Sequence, residues 1–152
     1  MVTEISQSVI SPGQATAARK VAHSHRLNPA HISYALFDAE PDEITSRQAS
    51  RLIDSIRIIG EMRSKPNTLF SVEAMLEEMV FKGAGIKKSH LLLTLDHLRR
   101  AGFAEAIGEG SKARYRYKSG SVEKATDRYN EENAILIKPQ PRSNGQVGGI
   151  EI

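Results

Sequence analysis

The chain of 152 residues contains no cysteine and no tryptophan, and only four tyrosines and four phenylalanines. Without thiols, a disulfide framework, thiolate zinc sites and cysteine-nucleophile chemistry are excluded. With so few aromatics, the core must be assembled from Leu, Ile, Val, Met and Ala, a composition that suits packed helices better than a large sheet. No apolar run exceeds four residues, as in Ala134 to Ile137. The N-terminus also lacks a basic segment followed by a hydrophobic one, so neither a membrane span nor a secretion signal is expected. The expectation is a soluble cytoplasmic protein, nucleoid-associated if the source is prokaryotic, with one domain plus tails.

The net charge of +3 is modest, but it is unevenly distributed. Residues 1–43 carry 3 basic and 5 acidic side chains, residues 44–118 carry 14 and 8, and residues 119–152 carry 4 and 5. Within the middle block, residues 86–118 hold 8 basic groups against 3 acidic ones. A localised basic surface attracts polyanions.

Three segments follow from this pattern. Residues 1–43 read as an N-terminal arm and linker. A Pro12-Gly13 break precedes a short helix from Gln14 to Leu27, which Pro29 ends, and Ile32, Tyr34, Leu36 and Phe37 make an apolar patch before the acidic run Asp38 to Glu43. The arm is expected to dock on its own domain or on another subunit. Residues 119–152 read as a flexible tail with a weak helix from Val122 to Asn133, since Pro139, Pro141, Gly145, Gly148 and Gly149 crowd the last fourteen positions.

The central segment, residues 44–118, carries the strongest local signals. Thr45-Ser46-Arg47-Gln48 fits a capping box, after which Ala49, Leu52, Ile53, Ile56 and Ile59 repeat at helical spacing, predicting a helix from Ser46 to Arg63. Pro66-Asn67 breaks it, Thr68-Leu69-Phe70 supplies a very short strand, and Ser71 serves as N-cap to a helix with Val72, Met75, Leu76, Met79 and Val80 on one face. Gly83-Ala84-Gly85 makes a tight turn into a third helix from Lys87 to Ala101, whose buried stripe is Leu91, Leu95 and Leu98. Phe103 to Ile107 and Arg114 to Lys118 then form a hairpin around Gly108 to Ala113.

The run Gly85 to Phe103, ending in the step Leu98-Arg99-Arg100-Ala101-Gly102-Phe103, resembles the recognition helix and exit of bacterial winged helix-turn-helix regulators of the MarR and ArsR type. The expected fold is therefore mainly α with a small β-hairpin wing: a three-helix core, a short strand and a two-stranded wing. The resemblance implies a third helix in the major groove and a wing on the DNA backbone or minor groove. On that basis the candidate DNA-binding residues are Lys87, Lys88, Ser89, His90, Leu93, Thr94 and His97 on the helix, and Lys112, Arg114 and Arg116 on the wing. Cations at a helix start favour phosphate and base-edge acceptors, and wing cations favour phosphate.

Two residues pull the other way. Counting 100° per residue from Leu91, Leu93 falls about 200° away, with Ser89, Asp96 and His97, and so points away from the core. An exposed Leu there suits a thymine methyl, or equally a protein partner, and Asp96 on the same side repels phosphate. Expected partners are therefore double-stranded DNA and a second copy of the chain, as a homodimer on a two-fold site. The alternative is a winged helix protein-interaction module of a replication, repair or segregation assembly, with a protein partner held by the arm or the tail.

No paired carboxylates, P-loop or Ser-His-Asp context is visible, so neither an enzyme nor a cofactor is expected. His23, His25 and His31 lack the spacing for joint ligation, as do His90 and His97, so no metal is expected.

Overall fold

The computed structural model describes residues 11–78 and 86–137. The glycine turn at Gly83-Ala84-Gly85, the expected face positions Met79 and Val80, the first ten residues and the last fifteen lie outside the described residues. Among the described residues, six α-helices and one small sheet follow in the order α1 (Pro12–Ser24), α2 (Pro29–Phe37), α3 (Ser46–Ser64), β1 (Phe70–Ser71), α4 (Val72–Glu78), α5 (Lys88–Arg100), β2 (Ala104–Ile107), β3 (Arg114–Tyr117) and α6 (Ser121–Ile137). A 3-10 turn, Gly110–Lys112, joins β2 to β3. The fold is mainly helical with a three-stranded antiparallel sheet.

Two of the prolines read as breaks, Pro12 and Pro29, instead begin helices. Pro12 occupies the first turn of α1 behind a complete capping box, Ser11 accepting from Gln14 N–H while Gln14 Oε1 accepts from Ser11 N–H. Pro29 opens α2 behind Asn28, whose side chain accepts from Ala30 N–H at 2.9 Å. The missing proline donor costs nothing at a position whose N–H has no helical partner anyway, so a proline excluded from a helix interior suits a helix start, while α1 itself ends earlier, at Ser24, before Arg26 at a φ of 58°. Ile32, Tyr34, Leu36 and Phe37 are thus one side of a helix rather than an irregular patch.

α3 is the axle of the molecule. Its capping box forms as Thr45 and Gln48 predict. Its buried set, which includes Ala49, Leu52, Ile56, Ile58, Ile59 and Met62, runs round more of the helix than one stripe. The cause is that α1, α2, α5 and β3 all pack against it. α1 approaches closely enough that a Cβ at Gly60 would lie 2.7 Å from His25 Cβ and nearer still to its ring, so the crossing requires glycine. Arg63 then caps the end of α1, donating to the His25 carbonyl at 2.7 Å.

The arm docks on its own chain. Ala18, Ala22, Leu27, Ile32 and Leu36 share one core with Leu52, Ile56, Met75, Leu91, Leu95, Leu98 and Phe103. The acidic run is a docking edge for α6 as well as a connection. Arg128 pairs with Asp38 at 2.8 Å, the Tyr129 hydroxyl donates to Glu40 at 2.6 Å, and Tyr34 donates to Glu132. The hydrogen bond to Glu40, with burial adding, pushes the Tyr129 phenol up to about 12. His31 Nδ1 lies 3.0 Å from Thr126 Oγ1 and its ring packs on Tyr129. This polar clasp makes α6 a regular helix from Ser121 to Ile137, longer than the weak stretch the sequence predicts.

The sheet has the order β1-β3-β2. β3 is central, pairing Phe70 with Tyr115 and Ser71 with Arg114 on one side, and Ala104 with Tyr117 through Ile107 with Arg114 on the other. Phe70, Ala104 and Tyr117 face the core, which leaves the alternate positions Arg114 and Arg116 on the outer face.

Candidate nucleic-acid interface

α5 forms over Lys88–Arg100 because Leu91, Leu95 and Leu98 supply an apolar stripe, and all three are fully buried. Lys87 is its N-cap, and among the described residues no side chain caps this start. The first N–H groups of a 13-residue helix therefore point outward beside Lys87, Lys88, Ser89 and His90, all of them exposed. That combination concentrates positive potential at one point.

The opposite edge is the β2–β3 hairpin. Gly108, at a φ of 90°, and the 3-10 turn carry the chain round so that Lys112 and Arg114 project as exposed cations. The first turn of α4 links the two regions. Ser71, its N-cap, accepts from Ala74 N–H at 3.0 Å and sits opposite Arg114 in the sheet, while Glu73, two residues on, pairs with Lys88 at 3.2 Å. The loop end of the hairpin and the start of α5 are thus neighbours across the segment from Ser71 to Glu73. Glu73 is held below the usual carboxylate range by its own backbone N–H and by Lys88.

Three of the expected DNA-contacting residues are used elsewhere. Thr94 is 1% exposed and its hydroxyl donates to the His90 carbonyl at 2.8 Å, so it offers nothing to a groove. His97 Nε2 lies 3.1 Å from the Leu36 carbonyl oxygen, and its ring packs edge-on against Phe37. Burial lowers its pKa, with Arg51 and Arg100 reinforcing that direction against the Leu36 hydrogen bond and Asp96. Arg116 pairs with Glu105 at 2.9 Å and Lys118 joins it at 3.4 Å, so that carboxylate, held down by these donors, neutralises the middle of the hairpin. Among the described residues, Lys87, Lys112 and Arg114 meet no carboxylate within ion-pair distance.

The exposed face of α5 is therefore turned relative to the expected one. α2 takes the side carrying His97, Thr94 is buried, and Ser89, Leu92, Leu93, Asp96, Arg99 and Arg100 are left outward. Leu93 is 56% exposed, as its phase predicts, and Leu92, which sequence reasoning passed over, is 41% exposed. Asp96 is tied to Arg99 at 2.7 Å and to Arg100 at 3.0 Å, which keeps its carboxyl below the usual range and cancels much of its repulsion toward an anion. Asp54 of α3 lies near His90 and Arg51, and burial raises its pKa. The signal for Leu92 was available, since it falls 100° from Leu91; Glu73 as the partner of Lys88 had no local signal at all.

Among the described residues, no group of three or more His, Asp or Glu side chains gathers to hold a metal ion, and no helix is long and apolar enough to cross a membrane. Comparison with protein-family models, curated proteins and solved structures finds no match to this chain.

Proposed function

We propose that the chain is a winged helix protein that binds double-stranded DNA as a transcriptional regulator of the general MarR or ArsR type, acting as a homodimer. The order α3, β1, α4, α5, hairpin, with the sheet order β1-β3-β2, supports the winged helix reading. In that reading α5 is the recognition helix and the β2–β3 hairpin is the wing. The observation that carries the function is the uncapped start of α5, flanked by Lys87 and Lys88 and connected through α4 to Arg114 of the wing. Phosphates would be met by Lys87, Lys112 and Arg114 and by the α5 N–H groups. Ser89 and His90 would reach base edges, with Leu93 against a thymine methyl.

The exposed pair Leu92 and Leu93 favours a second reading, a winged helix that binds a protein through the same face. Fluorescence anisotropy on random duplex over a salt series, with the single strand as control, separates the two. Duplex affinity that falls steeply with salt supports the first; absence of duplex binding at low salt leaves only the second.

A further inference from the structure

α6 rests on α2, and little of what holds it there is apolar. Among its described side chains only Ala125 joins the core, with Val122 half-buried against it, whereas α3 contributes Ala49, Leu52, Ile56, Ile58, Ile59 and Met62. Apolar burial is the dominant stabilising term in a fold, and α6 draws on far less of it than α3 does. Its remaining links to α2 and to the acidic run are polar: Tyr129 to Glu40, Tyr34 to Glu132, His31 to Thr126 and Arg128 to Asp38. Arg128, Asp38 and Glu132 are all exposed, and ion pairs so open to water add little each.

The charge around this clasp works against it. Residues 38–43 carry four carboxylates and no base, and α6 carries four carboxylates against Lys124 and Arg128. Both elements are net negative, so at close quarters they repel, and Arg128 is the cation that bridges them. It pairs with Asp38 at 2.8 Å and with Glu132 at 3.2 Å, and its guanidinium carbon lies 4.8 Å from the centre of the Tyr34 ring. At its start α6 is joined to β3 by a short link through Gly120, whose φ is 80° and where a Cβ would meet nothing within 4 Å. The Val122 N–H donates to the Tyr117 hydroxyl at a long 3.4 Å.

We infer that α6 is a releasable strap, which lifts off α2 as one unit while the rest of the fold persists, with Arg128 as its latch and Gly120 as its hinge. Elements with little buried apolar surface open before the whole molecule does. Once free, α6 is a helix of 17 residues in which Glu123, Asp127 and Glu131 recur at four-residue spacing, like charges that weaken a helix standing alone. A solitary helix of that length is marginal in water, so release also melts it. Release uncovers His31, Tyr34 and Ala35 on α2 and breaks the tie from Val122 to Tyr117, which carries the state of the strap to the last residue of the hairpin. The inference stands apart from the DNA reading, since it uses none of the residues proposed to meet DNA.

The test is native-state hydrogen exchange of the full chain, read amide by amide by NMR. The Thr126 to Asn133 amides should share one opening, populated at least about tenfold more than the opening that exposes Leu52 to Ile59 of α3. Arg128→Gln should raise the α6 opening about three- to tenfold. Ile56→Val weakens contacts that persist when the strap is off, so it should raise the α3 opening about fivefold and leave the α6 opening at the parent level. Equal opening of α6 and α3, an Ile56→Val effect of the same size on both, or parent exchange of α6 in Arg128→Gln would each overturn the inference. Protection that grades smoothly along α6 from Asn133 to Thr126 would overturn it too, since that is fraying from one end.

Discussion

His97 Nε2 stands 3.1 Å from the carbonyl oxygen of Leu36, 61 residues away, at the carbonyl end of α2. A carbonyl only accepts, so the histidine donates, and the ring carries its proton on Nε2. This single bond takes His97 out of the outward face of α5 and makes it part of the seam between α5 and the N-terminal helices.

Burial lowers the pKa of His97, and of His31 in the α2–α6 clasp, below the ordinary 6.5. The unfolded chain therefore takes up protons first as the pH falls. Stability is complete above about pH 6.5 and declines as the pH drops through the ordinary value toward the lower folded ones. Equilibrium urea unfolding between pH 7.5 and 5 should show that decline. His97→Gln keeps a donor for Leu36 but cannot titrate, so it should flatten the slope. An unchanged slope in His97→Gln combined with His31→Gln would show that the histidines are not its source.

Gly60→Ala pits two effects against each other. Alanine is the better helix former by about 1 kcal/mol. The new Cβ, however, would fall 2.2 Å from His25 Nδ1 and 2.7 Å from its Cβ, forcing α1 and α3 apart. Overpacking of this kind costs about 1 to 3 kcal/mol, so a net loss of stability is expected. A gain on thermal or chemical denaturation would mean that the α1–α3 crossing is looser than described.

The two leucines of the same helix should separate cleanly. Leu91 is fully buried and Leu93 is 56% exposed. Leu91→Ala should cost about 2 to 5 kcal/mol, whereas Leu93→Ala should cost little. Equal losses by urea titration would show that the phase of α5 is wrong, and the interface with it.

Within the proposed DNA interface, the ion pairs predict which cations matter. Lys112→Ala with Arg114→Ala should weaken binding to all duplexes and reduce the salt slope by about 1 to 2 units, leaving specificity nearly unchanged. Glu73→Gln releases Lys88 from its 3.2 Å pairing, so affinity should rise and the slope steepen by up to about 1 unit. Thr94→Val, at a buried hydroxyl already bonded to His90, should leave affinity as it is. Anisotropy titrations at several salt concentrations read all three, and weaker binding by Glu73→Gln would remove Lys88 from the interface.

Much of this architecture is legible in the sequence because it is local. The Thr45–Gln48 capping box, the Ser71 cap, the phase of Leu91, Leu95 and Leu98, and the hairpin from Ala104 to Tyr117 depend on residues a few positions apart, whose spacing alone sets their geometry. The prolines misled for an equally local reason, since Pro12 and Pro29 serve as starts only because Ser11 and Asn28 cap behind them. Only the tertiary structure decided which side of α5 is free, which of its cations are already paired, and that the acidic run holds α6. The partners involved, Leu36 for His97, Glu73 for Lys88 and Asp38 for Arg128, stand 15 to 90 residues apart, and only the packing of α2 and α4 against their neighbours brings them within reach.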